Sequence, residues 1–174
     1  MTENMEKAKK ELARNNRLFD AVHEINRTTS KLQGIATVLL GDIADNLYTG
    51  SWTVNESVEN LLFFVTKVMV SNGSDNERAT KGLAVIKESI VKIIVILQWE
   101  YDNAFDDSAA SDVGMTSADM MLKQGLLSAI SEGSNLLSAF VVFEDEVNKY
   151  LKDFSNYNSA GPGGLYGSVA SRGH

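Results

Sequence analysis

Ten positions, Leu122, Leu126, Ala129, Gly133, Leu136, Phe140, Phe143, Val147, Tyr150 and Phe154, follow one another at alternating steps of four and three, and all are apolar or small. Such a run places every member on one stripe of an α-helix, and no strand can present it to a single face. Thr116-x-x-Asp119, just ahead of it, supplies a capping box to start the helix. Leu127, Ile130, Leu137 and Val141 widen the stripe, so this helix should meet more than one neighbour. Ala129 and Gly133 at mid-stripe leave room for another helix to approach closely.

The same period recurs upstream. Leu18, Val22, Ile25, Thr29, Leu32, Ala36, Leu39 and Ile43 form a second stripe, extended weakly backward by Met5 and Leu12, which predicts a first helix over about 4–48. A break is expected near Thr28–Ser30, where β-branched residues precede a Ser30-x-x-Gln33 box. Thr49-Gly50 reads as a stop and Thr53-x-x-Glu56 as the cap of a second helix, with Val54, Val58, Leu61, Leu62, Val65, Val68 and Met69 inward. Turn formers at 71–76 lead to a third stripe, Leu83, Ile86, Ile90, Ile93, Leu97, Tyr101 and Ala104. Its centre, IVKIIVIL, is β-branched, but Lys87, Glu88 and Lys92 share one face and the helical spacing continues on both sides. Those charges also interrupt an apolar stretch already short of the roughly 20 residues of a membrane span.

The expected fold class is therefore all-α: an elongated antiparallel four-helix bundle with long N- and C-terminal helices, one domain over 1–157, and an extended Gly-rich tail over 158–174. That tail holds 5 of the 13 glycines and the only proline. Because the outer helices outreach the inner hairpin, part of their stripe should stay uncovered and invite another chain. The subunit-contact candidates are Leu122, Leu126, Ala129, Gly133 and Phe140 on the last helix, with Leu165, Tyr166 and Val169 as the apolar anchors of the tail. Trp52, Phe63, Phe64, Trp99, Tyr101 and Phe105 are expected in the core.

Chemistry is thinly supplied. With no cysteine there is no disulfide, thiolate metal site or cysteine nucleophile. Asp20-x-x-His23 lacks the second motif and the further carboxylates that a di-iron bundle needs. Asp102, Asp106, Asp107 and Asp112 lack the alternation, central glycine and closing glutamate of a calcium loop. GPGGLYG in the tail has no Lys-Ser/Thr after it and sits between no strand and helix, so it is no phosphate loop. No cofactor, metal or catalytic group is expected.

Net charge is −7, which disfavours unspecific adhesion to nucleic acid or anionic membrane. Residues 1–31 carry seven Lys and Arg against five acids, leaving 9 basic and 18 acidic side chains in the rest of the chain. The first helix of one copy could thus meet an acidic face of another. The N-terminal segment alternates charges and lacks the apolar stretch of a secretory signal, which suggests a cytoplasmic chain or one assembled outside by a route without a cleaved signal. On architecture, with no residue motif involved, the plan is similar to subunits of bacterial secretion filaments and of rod-shaped virus coats. The leading expectation is a non-enzymatic, self-assembling structural subunit. Alternatives are a soluble adaptor, chaperone or immunity-type bundle that masks one partner protein, and a nucleic-acid-packaging coat subunit in which Arg14, Arg17, Arg27 and Arg78 line a backbone.

Overall fold

The structure, a computed structural model, describes residues 2–39, 41–68, 76–105 and 114–159, with side chains described up to Asp153. Four α-helices make up the bundle: α1 (Thr2–Ala36), α2 (Asp42–Phe63), α3 (Asn76–Ala104) and α4 (Ser117–Ser159). Among the described residues there is no strand. Each helix packs on its neighbours in chain order, and α4 closes the ring against α1. Paired residues fix the antiparallel sense: Thr29 of α1 meets Asn55 of α2, Leu61 and Ile93 pack at Gly82 and Gly50 across the α2–α3 seam, and Arg17 of α1 reaches Glu146 of α4. The expected Gly-rich tail lies outside the described residues.

The inward stripes build one core. Leu18, Ile25, Leu32, Leu47, Ile86, Ile90, Leu97, Leu126, Leu136, Phe140 and Phe143 are its largest fully buried side chains. At the head of α4 the capping box forms reciprocally: the Thr116 amide donates to Asp119 Oδ2 (3.3 Å) and the Asp119 amide donates to Thr116 Oγ1 (3.1 Å). Two donors that no helix turn can satisfy are thereby satisfied.

The first break lies elsewhere than the sequence suggests. Helix α1 runs unbroken through Thr28–Ser30, because the Thr28 hydroxyl donates to the Glu24 carbonyl (2.9 Å) and Thr29 Oγ1 sits 2.8 Å from Asn55 Oδ1. Hydroxyls bonded within and across helices make these positions compatible with helix despite their β-branching. The chain turns instead at Thr37–Leu39, where the amides of Thr37, Val38 and Leu39 donate to the carbonyls of Gly34, Ile35 and Ala36. Gly41 then takes φ 75° and ψ −150°, a conformation almost restricted to glycine. Leu39 stays buried inside this turn, so the apolar stripe passes across the break without a fault.

Thr49-Gly50 is no stop. Both residues lie inside α2, and Thr53 does not cap it, since its hydroxyl donates back to the Thr49 carbonyl (2.8 Å). Gly50 is there for contact: a Cβ at that position would stand 2.9 Å from Ile93 Cδ1 and Cγ1. At its end α2 widens into a π-helical turn, Phe64–Val68, which brings the adjacent Phe64 and Val65 both into the core.

Candidate interaction surfaces

The contact candidates on α4 are taken up by the chain's own bundle. Leu126, Ala129 and Phe140 are buried in the core, Gly133 lies so close to α3 that a Cβ would be 3.0 Å from Ile94 Cγ1, and Leu122 is half-buried against the core. In this packing Leu126, Ala129, Gly133 and Phe140 are covered by the chain's own bundle, and Leu122 keeps part of its side chain accessible. Leu165, Tyr166 and Val169 lie outside the described residues. Helix α1 is exposed from Thr2 to Ala13, with Met5 and Leu12 uncovered, as expected where an outer helix outreaches the inner hairpin.

The four candidate arginines are each engaged by groups of the same chain. Arg14 lies 4.2 Å over the Tyr150 ring and 3.7 Å from Asp153. The Arg17 Nε–H donates to Glu146 Oε2 (3.2 Å), a carboxylate that Lys149 also approaches at 3.6 Å. Arg27 pairs with Glu24 within α1, and Arg78 rests 4.4 Å over the Phe64 ring. Arg14 and Arg17 therefore clasp α1 to α4, with Glu146 as a buried acceptor. Burial pushes the Tyr150 phenol above its ordinary value, and the Arg14 charge acts the other way. Lys149 is raised by its hydrogen bond to Asp145 and by the charges of Asp145 and Glu146.

No metal centre emerges among the described residues, where no group of three or more acids and histidines converges. Asp20 and His23 are exposed on α1, and Asp102 accepts a hydrogen bond from Gln98 Nε2 (2.9 Å). Asp106, Asp107 and Asp112 lie outside the described residues. Between α2 and α3 there is a groove of about 230 Å³, floored by Ile43, Leu47, Ile93 and Leu97 and rimmed by Asn46, Ser89 and Lys92. It is smaller than the roughly 300 Å³ at which ligand pockets usually begin, and suits a single bulky side chain.

The aromatic residues correct the sequence expectation most sharply. Phe64 is buried and Tyr101 and Phe105 pack at the edge of the core, but Trp52, Phe63 and Trp99 are 61%, 61% and 62% exposed. Gly50 faces α3, so Trp52, two residues and about 200° further round the helix, points away from it. Trp99 stands on the solvent side of α3, beyond the inward Ile93 and Leu97. Both tryptophans of the chain are thus turned outward, on two different surfaces of the bundle. Val85, Val91 and Val95 are also exposed on α3, so its outer face carries large apolar side chains among the charges of Lys81, Glu88 and Lys92. At helical spacing Val91, Val95 and Trp99 are four residues apart, a second stripe present in the sequence but overshadowed by the core stripe beside it.

Comparison with protein-family models, with characterised proteins and with solved structures yields no match for this chain.

Proposed function

We propose that the chain is a non-enzymatic structural subunit that assembles with copies of itself, as the protomer of a filament, coat or appendage, through outward helix faces. The observation that carries this is the exposure of both tryptophans, Trp52 at 61% and Trp99 at 62%, on surfaces that face different directions. An indole buries about 150–250 Å² when covered, and tryptophan is among the residues that dominate the energy of protein contacts. A chain that leaves two such groups in water forgoes about 1.5–3 kcal/mol at each. Association recovers that free energy. Two contacts on different surfaces also suit open growth, whereas a single self-complementary patch closes at a dimer.

On this reading the contact faces lie elsewhere than the buried Leu126, Ala129, Gly133 and Phe140, while the tail anchors Leu165, Tyr166 and Val169 lie outside the described residues. The proposed contact is built on Trp52 and on the outer face of α3. Tryptophan emission tests the proposal directly. The free subunit should emit as solvent-exposed indole at high dilution and shift to the blue as concentration rises, and Trp99→Ala should remove part of that shift. An emission spectrum that stays solvent-exposed at every concentration would contradict it.

A further inference from the structure

Resting on the self-assembly proposed above, we infer that the outer face of α3 pairs antiparallel with α3 of a second copy, about a twofold axis that passes the helix at the level of residue 90. Leu83, Ile86, Ile90, Ile93 and Leu97 point into the bundle, so the opposite side of the helix presents Lys81, Val85, Glu88, Lys92, Val95 and Trp99. Val85, Val95 and Trp99 are 56%, 59% and 62% exposed. Glu88 and Lys92 stand four residues apart in the order that favours an ion pair within a helix. Neither has an ion-pair partner among the described residues.

A twofold contact requires a face that is complementary to its own reversal, since whatever residue i meets on the partner must meet residue i in return. Reversal about residue 90 places each residue against the one equally far on the other side. Glu88 then meets Lys92 of the second copy, Val85 meets Val95, and the Lys81 ammonium meets the Trp99 ring. These three pairs are matched, twice over, along about 27 Å of helix, and Val91, at the edge of the face, meets Ser89. Reversal about 92 sets Lys92 against itself, and reversal about 95 sets Glu88 against Asp102; reversal midway between Ala84 and Val85 also matches Lys81 with Glu88 and Glu77 with Lys92, but it carries Val95 and Trp99 past the first residue of α3 and leaves both uncovered. A parallel pairing in register opposes every charge with its like. A different protein would need no such internal symmetry in this face, so the second copy is the partner that the pattern fits.

Charge reversal tests the contact without touching the core, because Glu88 and Lys92 are both exposed. Glu88→Lys alone sets Lys against Lys at both pairs, and Lys92→Glu alone sets Glu against Glu. Each should weaken self-association by about tenfold or more in sedimentation equilibrium, with circular dichroism unchanged. An equimolar mixture of the two variants should associate almost as tightly as the unmodified chain, since each copy then offers what the other lacks. Repair of a pair within one helix cannot produce that rescue. Independently, the chain has no cysteine, so Val85→Cys mixed with Val95→Cys should crosslink on oxidation, while Val85→Cys alone, about 15 Å along the helix from its own copy, should not. Single reversals that leave association unchanged, or a mixture as weak as either variant alone, would overturn the twofold contact while leaving self-assembly standing. An unmodified chain that stays monomeric would overturn both.

Discussion

Replacing glycine by alanine at four positions asks the same chemical question in four environments, and Gly41 gives the sharpest answer. Alanine at Gly41 must adopt φ 75° and ψ −150° in the turn between α1 and α2, which costs roughly 1–3 kcal/mol per residue. If residues 39–43 were instead the middle of one long helix, as the unbroken stripe suggests, the same change would add about 1 kcal/mol of helix propensity. The two cases differ in sign. Gly34 has open space around its missing Cβ, so Gly34→Ala should stabilise by about 0.5–1 kcal/mol. At Gly82 the added methyl stands 3.2 Å from Leu61 Cδ1, the far end of a side chain that can swing aside, and the change should be close to neutral. At Gly50 the methyl stands 2.9 Å from two atoms of buried, β-branched Ile93; overpacking of about 1–3 kcal/mol there exceeds the gain in propensity. For a chain of this length each kcal/mol moves the melting temperature by about 2–4 °C. Thermal and urea unfolding, followed by circular dichroism at one low protein concentration so that association does not contribute, should order the variants Gly34→Ala, Gly82→Ala, Gly50→Ala, Gly41→Ala from most to least stable. A Gly41→Ala variant as stable as the unmodified chain would refute the break between α1 and α2.

Further expectations concern the cap, the core and pH. Thr116→Ala removes one arm of the reciprocal cap of α4 and should cost about 1 kcal/mol in urea unfolding, with Thr116→Ser largely retaining it. Phe140→Ala empties a fully buried site and should destabilise the fold by about 3–5 kcal/mol, the signature of a core position as opposed to a subunit contact. Tyr150 holds its proton more tightly folded than unfolded, so its contribution to stability is fully present below its ordinary value of 10.0 and is lost as pH rises through the raised value. The melting temperature should therefore fall on an alkaline limb above about pH 10, and Tyr150→Phe should flatten that limb while leaving the melting temperature at pH 7 nearly unchanged.

Residue by residue, local information carries the helices and fails at their junction and surfaces. The α4 stripe and its Thr116 cap are readable because the capping bonds join residues three apart and the stripe repeats without fault. The α1–α2 break is hidden because Leu39 is buried in the turn, where it holds the rhythm that a continuous helix would show. Thr49-Gly50 imitates a stop for the opposite reason: its glycine answers to Ile93, 43 positions further along the chain, and no local pattern records that approach. The contact candidates Ala129, Gly133 and Phe140 have the small-and-large pattern of an interface because they do line one, the interface between α4 and the rest of its own bundle. Trp52 and Trp99 are not legible as surface groups because an aromatic beside an apolar stripe reads as core until the register fixes which side of the helix it occupies.

Sedimentation velocity over a wide range of protein concentration, with electron microscopy of the fastest fraction, tests the assembly of outward helix faces most directly. A 19.0 kDa subunit is expected at high dilution, with reversible growth into larger, regular species as concentration rises, lessened by Trp52→Ala and by Trp99→Ala. A mass that stays at 19.0 kDa across the whole range would contradict it.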